Sequence, residues 1–279
     1  MNHAAIADEQ LARPTRRVMP GGRAALRHAA TFWFVMTAIG QGAFVAFILA
    51  FYYSRTLAGD LSRWNEKPLI QGYVAGDGAG NAGFAVHVIL AALVTAAGLV
   101  QLVPQIRARW PRFHRWSGRT FLVCSLFLAA GGLALVWVRG TYLNLPGALA
   151  ISLDAVLIIV FGTLAWADAL RGRFVSHRRW ALRAFMVVSA VWFMRIGYGS
   201  WGLATGGVGI GQAMDGPFDY FLAFGCYLVP LAILELYLWA EARGTGGQRV
   251  AVATLVATGG AMTGLGTMAA VLGMWLPYV

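Results

Sequence analysis

Two short polar stretches with matching histidines stand out in this sequence. The first, "FHRWSGRTFLV", covers residues 113–123, and the second, "SHRRWALRAFMV", covers residues 176–187. Neutral imidazole is a good ligand for haem iron, and arginine binds carboxylates and phosphates through charge-assisted hydrogen bonds. The two stretches, called the histidine cassettes below, therefore indicate a pair of imidazoles surrounded by positive charge. Their candidate residues are His114, Arg115, Arg119, His177, Arg178, Arg179 and Arg183.

The cassette residues also have a purely structural interpretation. Arginines beside apolar segments orient a membrane protein and bind lipid headgroups, and tryptophans such as Trp116 and Trp180 favour the membrane surface. A histidine among them can simply be hydrated. Two histidines at matching positions favour a binding site, and both interpretations stay open at this stage.

A second group of chemically capable residues falls inside apolar segments, namely His87, Asp154 and Arg195. At 1.5 Å per helical residue, all three are expected roughly 7–12 Å below the outer membrane boundary. A lone charge at that depth costs about 2.5–3.5 kcal/mol or more, so Asp154 and Arg195 are expected to pair or to line a wet cavity. The alternatives are a buried ion pair and a polar pocket in which His87 receives a proton or binds a headgroup or quinone.

The composition defines the elements that must position these residues. Of the 279 residues, 59% are hydrophobic and 12% are charged, whereas about a quarter of a soluble domain is charged. Apolar runs of about 20 residues are long enough to cross a bilayer as helices, and they are continuous rather than alternating as in a β-barrel. The chain is therefore predicted to be an all-α, multi-pass membrane protein.

Seven spans are predicted. Residues 1–29 are expected to form a basic cytoplasmic segment, and residues 30–279 a single transmembrane domain. A stripe of Ala257, Gly260 and Gly264 predicts close packing of the last span within the molecule. The predicted spans cover about residues 30–53, 82–104, 118–138, 148–169, 182–203, 218–240 and 250–275.

The distribution of positive charge predicts the orientation of the spans. Seventeen arginines fall in segments on the side of the N-terminus, and only Arg55, Arg63, Lys67 and Arg139 fall on the other side. Since basic residues accumulate on the cytoplasmic side, we expect an N-in, C-out protein of the bacterial inner membrane. The net charge of +11 is carried almost wholly by arginine, which together with abundant alanine and glycine looks like codon bias and indicates no nucleic-acid partner.

The cassettes also predict an internal repeat. Spans two and three form one hairpin, spans four and five form another, and a cassette opens the second span of each. Two such hairpins can form a four-helix core related by an axis along the membrane normal. That arrangement would bring His114 and His177 to the same depth.

The motifs resemble a known family. "H-R-W-x-G-R", "H-R-x-W-x-x-R" and the His87 helix ending in "GLVQLVPQIR" resemble uncharacterised bacterial inner-membrane proteins that share a domain of unknown function, over about residues 35–240. This resemblance implies a multi-pass membrane protein and no particular activity.

A more distant resemblance is to the ascorbate-linked di-haem transmembrane cytochromes, which have a four-helix core with one histidine on each helix. It implies that His114 and His177 hold a haem b, with cassette arginines at its propionates. His87 matches one ligand of a second, outer haem. Asp154 stands on the helix that should supply the other ligand, so the outer haem lacks a second histidine.

Three functions are consistent with these patterns. The leading hypothesis is haem b or quinone-linked electron transfer, as in a membrane oxidoreductase. The second is proton or solute translocation through His87, Asp154 and Arg195. The third is a membrane sensor or scaffold subunit whose charged loops contact a protein or anionic lipid. The chain carries no C-x-x-C-H, Walker, G-x-G-x-x-G or H-E-x-x-H motif.

Overall fold

The computed structural model describes residues 20–67 and 72–279, and every regular element in these ranges is a helix. π-helical turns at Leu49–Tyr53 and Val271–Trp275 extend the first and last long helices, and 3-10 turns occur at Leu61–Glu66 and Leu276–Tyr278. The α-helices are α1 (Pro20–Ile48), α2 (Ser54–Leu57), α3 (Gly78–Gln101), α4 (Pro104–Arg109), α5 (Pro111–Trp137), α6 (Leu145–Leu170), α7 (Phe174–Val188), α8 (Ala190–Thr205), α9 (Pro217–Arg243) and α10 (Gly246–Ala270).

The first span is longer than the sequence predicts. A continuous helix covers Gly21–Leu57, whereas the apolar pattern predicts residues 30–53. The extra turns form because α10 covers them: Leu26 and Ala29 are buried with Val252 and Val256. Residues 20–29 therefore belong to the helical bundle, and the remainder of the predicted N-terminal segment lies outside the described residues.

Helices α1 and α10 pack along each other through small residues. A β-carbon at Gly260 would lie 2.9 Å from the ring of Phe32, and one at Gly264 would lie 3.1 Å from the sulfur of Met36. Because glycine lets two helices approach closely, this stripe serves contact inside the molecule, as the sequence predicts.

Both cassettes lie inside helices rather than in front of them. Helix α5 begins at Pro111 and α7 at Phe174, several residues before the predicted span starts at 118 and 182. Proline has no backbone N–H to leave unsatisfied in the first turn, which explains the early start of α5. As a result, His114 and His177 each occupy the fourth residue of their helix.

The predicted fifth span consists of two helices. Helices α7 and α8 meet at Ser189 with a bend of 54°. Gln41 Nε2 donates a buried hydrogen bond of 2.9 Å to Ser189 Oγ, so α1 contacts the bend directly. Six helices are long and apolar enough to cross a membrane alone, and the bent pair makes a seventh candidate crossing.

Side-chain contacts show that the bent pair connects the two ends of the bundle. At one end, Arg178 at the start of α7 bonds to Glu241 at the end of α9, at 2.9 Å. At the other end, Asn144 before α6 donates to the carbonyl of Met214 after α8, also at 2.9 Å. We call these the arginine end and the distal end; α1, α5, α7 and α10 all begin at the arginine end.

The helices that carry the cassettes pack in chain order. Helix α3 packs against α5, α5 against α6, and α6 against α7. Gly98 on α3 also faces Phe121 on α5 and Phe185 on α7, at 3.0 and 3.3 Å from the position of a β-carbon. The interpretation of the two hairpins as copies of one repeat, and the side of the membrane that each end faces, stay predictions.

Candidate histidine site and outer polar residues

The ring of His177 is oriented by the neighbouring helix. Its Nδ1 lies 2.9 Å from the carbonyl oxygen of Ala165, a fully buried residue of α6. A carbonyl oxygen only accepts hydrogen bonds, so Nδ1 carries the hydrogen and donates it. In the neutral ring this leaves the lone pair on Nε2, which is the arrangement usual for a histidine that ligates a metal.

His114 presents a buried ring atom without a partner. Its Nδ1 makes no hydrogen bond to any described residue. Arg107, Arg115 and His177 lie within electrostatic interaction distance of the His114 ring. The two cassette histidines, 63 positions apart in sequence, are thus neighbours at the arginine end.

The junction of α3 and α5 fixes the backbone that carries His114. Gln101 Nε2 donates to the His114 carbonyl oxygen at 3.2 Å and to Ser117 Oγ at 2.6 Å. A β-carbon at Gly118 would lie 2.8 Å from Gln101 Oε1, so an alanine there would force the Gln101 amide to move. Gln101 and Gly118 both belong to the family motifs, but the spacing of the motifs does not reveal their contact. The signal for it in the sequence is a polar residue, Gln101, at the end of an apolar span.

Two of the cassette arginines are already paired. Arg178 binds Glu241 through two nitrogens at 2.9 and 3.3 Å, and Arg183 binds Glu235 at 2.6 and 2.7 Å. Both carboxylates belong to α9, so these pairs clamp α7 to α9. The guanidinium groups of Arg178 and Arg183 face protein carboxylates, and the expected role of these two arginines at a bound anion stays a prediction.

The other cassette arginines are open to an external anion. Arg115, Arg119 and Arg179 are exposed and form no ion pair with any described residue. The guanidinium of Arg119 lies 5.0 Å from the ring centroid of Trp116, a contact that orients it without neutralising it.

The three outer residues do not form one cluster. The ring of His87 on α3 faces α5, with Cε1 3.7 Å from the position of a β-carbon at Gly132. Asp154 on α6 lies within electrostatic interaction distance of Cys226 and Tyr227 on α9. His87 Nδ1 and Asp154 Oδ1 are buried without a hydrogen-bond partner among the described residues.

The expected ion pair between Asp154 and Arg195 does not form. Arg195 donates to the carbonyl of Val191 at 2.7 Å, and its guanidinium lies 5.0 Å from the ring centroid of Phe44 on α1. The reason is helix orientation: α8 follows the bend at Ser189 and presents Arg195 to α1, while α6 presents Asp154 to α9. A continuous relay through His87, Asp154 and Arg195 is not seen.

The ligands available for a metal also limit the chemistry. No group of three or more histidine, cysteine, aspartate or glutamate side chains within residues 20–67 and 72–279 could hold a metal ion. His114 and His177 together offer two nitrogen ligands. Two imidazoles match the axial positions of a haem, whose porphyrin supplies the other four ligands.

The helices and their apolar surfaces define a multi-pass integral membrane protein. Residues 84–238 match the model of a family described as predicted membrane protein (DUF2306), and since the match covers over half of the chain, the protein belongs to that family. No curated protein and no solved structure matches the chain. The likeness to the di-haem cytochromes stays a resemblance of motifs.

Proposed function

We propose that this protein is a membrane redox protein that binds one b-type haem between His114 and His177 at the arginine end. The observation that carries the proposal is the state of His177: its Nδ1 donates to Ala165, which leaves Nε2 free for iron. His114, on the other cassette helix, lies nearby with an unpartnered ring nitrogen. Such a haem would supply reversible one-electron transfer.

Each part of the arginine end has a role in this proposal. His177 Nε2 and a ring nitrogen of His114 would bind the haem iron. The exposed Arg115, Arg119 and Arg179 would bind the propionates through charge-assisted hydrogen bonds. Arg178 and Arg183 keep their partners on α9 and hold the helix that carries His177 in place.

The cellular setting follows from the charge distribution. Basic residues concentrate at the arginine end, which favours its location on the cytoplasmic side of a bacterial plasma membrane. The haem would then lie near the cytoplasmic surface, and a quinone dissolved in the bilayer is the redox partner that this position favours. One haem is proposed, since His87 has no histidine partner on α6.

The absorption spectrum of the purified full-length protein, oxidised and then reduced, tests the proposal. We expect a low-spin b-type spectrum at about one haem per chain. His114→Ala and His177→Ala should each abolish that spectrum, and His87→Ala, which removes the histidine of α3 with its buried Nδ1, should retain it.

Two results would overturn the haem proposal. One is a wild-type protein that stays colourless when haem is supplied during expression. The other is a spectrum that survives in the His114→Ala, His177→Ala double variant.

A further inference from the structure

Two cations lie together at the distal end, away from His114 and His177. Arg195 on α8 turns toward α1 and lies over Phe44. Lys67 follows the turn Leu61–Glu66 and reaches back to the bundle, with Nζ 3.4 Å from the carbonyl oxygen of Met274. The two side chains lie within electrostatic interaction distance, and burial, with a smaller contribution from the Arg195 charge, lowers the pKa of Lys67 to about 8.

Two carboxylates of the distal end are engaged by other arginines. Glu66, next to Lys67 in the chain, bonds to Arg55 and to Arg63, each at 2.6 Å. Asp77 bonds to Arg139 at 2.8 Å. Among the described residues, no carboxylate bonds to Lys67 or Arg195, so two neighbouring positive charges are left without a negative one.

Both π-helical turns of the described residues flank this cation pair. Tyr52 belongs to the turn Leu49–Tyr53 and lies within range of the Arg195 charge. The carbonyl that accepts from Lys67 belongs to Met274 in the turn Val271–Trp275. A π-turn interrupts the regular hydrogen bonding of a helix and frequently occurs at a functional site.

Aromatic rings surround the two cations. The Lys67 ammonium lies 5.8 Å from the ring centroid of Phe47 and 5.3 Å from that of Tyr278. Trp275 packs on Phe44 and Phe47, with centroids 5.4 and 5.9 Å apart. These rings favour the cations weakly and carry no net charge that would balance Lys67 and Arg195. Phe44, Phe47 and Trp275 are buried in the core, whereas Tyr278 is partly exposed.

We propose that Arg195 and Lys67, between the two π-turns, bind an oxyanion attached to an apolar body. A carboxylate or phosphate would accept from the planar guanidinium of Arg195 and from the ammonium of Lys67. The apolar body would pack on the partly exposed ring of Tyr278. The anion can come from a water-soluble organic acid or from the headgroup of an acidic lipid, which share this chemistry.

The test uses the full-length protein in nanodiscs of neutral phosphatidylcholine, with benzoate as the soluble carboxylate and Trp fluorescence as the readout. A parallel sample is purified from membranes containing phosphatidylglycerol, and the lipid retained per chain is measured by mass spectrometry. The variants are Lys67→Gln and Arg195→Gln. Arg63→Gln is the matched control, because Arg63 lies at the same end but is exposed and paired with Glu66.

If the ligand is a soluble organic acid, we expect saturable benzoate binding. The affinity for benzoate should fall about ten-fold or more in Lys67→Gln and stay unchanged in Arg63→Gln. If the ligand is an acidic lipid, benzoate should not change the Trp fluorescence. Phosphatidylglycerol should then be retained by the wild type and lost from Lys67→Gln. Lys67 is only partly buried and lies outside the membrane-spanning helices, so its variant serves even if Arg195→Gln fails to fold. Two results would overturn the proposal. One is that the wild type binds neither benzoate nor phosphatidylglycerol, and the other is that the wild type and Lys67→Gln bind equally well.

Discussion

The Nδ1 atoms of His177 and His114 differ in their hydrogen bonding. His177 Nδ1 donates to Ala165, whereas His114 Nδ1 is buried without a partner among the described residues. An unsatisfied buried polar group costs about 1–3 kcal/mol, so an additional partner at His114 would be stabilising. His177 is therefore the pre-oriented residue of the pair, and His114 is the one that a ligand would complete.

At the same scale, Gly118 is set by its contact with Gln101. Gly118→Ala would press a methyl group on Gln101 Oε1 and disturb the hydrogen bonds of Gln101 to Ser117 and His114. Gly131→Ala is the control on the same helix, since no atom outside its own helical turn lies within 4 Å of a β-carbon there. We expect Gly118→Ala to be less stable than Gly131→Ala by about 1–2 kcal/mol in thermal unfolding in detergent. Equal stability of the two variants would contradict this account of the motif.

At the scale of the helices, two ion pairs join α7 to α9. The side chain of Arg183 is 19% exposed in its pair with Glu235, while that of Arg178 is 45% exposed in its pair with Glu241. Water screens the second pair more strongly, so the two pairs should differ in strength although they lie on the same two helices.

Replacing the two carboxylates one at a time tests this difference. Glu235→Gln should destabilise the protein by about 1 kcal/mol or more, and Glu241→Gln by about 0.5 kcal/mol or less. Thermal unfolding of the purified variants in detergent provides the comparison. A larger effect of Glu241→Gln would show that exposure does not govern these pairs.

The bend between α7 and α8 also acts at this scale. It turns α8 so that Arg195 faces α1 instead of Asp154, and Gln41 of α1 bonds to Ser189 at the bend. In a single straight helix over residues 182–203, the residues after position 189 would face different neighbouring helices than they do in the bent pair. The bend therefore separates the outer residues that hydropathy alone had grouped by depth.

At the scale of the whole molecule, the family match and the architecture divide the chain in the same way. The matched residues 84–238 run from α3 through most of α9, and the helices outside the match, α1 and α10, pack along each other. The proposed haem site lies within the matched part. The proposed anion site combines Arg195 from that part with aromatic residues of α1 and the end of α10.

The orientation of the whole bundle is testable by cysteine labelling. In a background without Cys124 and Cys226, Ser62→Cys marks the distal end and Ala108→Cys marks the arginine end; both positions are exposed. A membrane-impermeant maleimide added to intact cells should label Ser62→Cys and not Ala108→Cys, because the arginine end is expected in the cytoplasm. The reverse pattern would contradict an N-in, C-out protein.

The sequence by itself determined the class of the protein, the approximate position of its membrane helices, the concentration of arginine at one end and the family motifs. These properties depend on hydrophobicity and charge along the chain, which are readable residue by residue. The starts of α5 and α7 were missed because polar first turns carry no apolar signal.

Only the tertiary structure decided which side chains meet. Each residue rotates a helix by about 100°, so the partner of a side chain depends on the rotation, packing and bending of whole helices. That is why Arg178 and Arg183 face Glu241 and Glu235. It is also why Arg195 lies near Lys67 and does not pair with Asp154. The depth of a residue in the membrane can be predicted from its position in an apolar segment. The direction of its side chain around the helix axis depends on the neighbouring helices against which that helix packs.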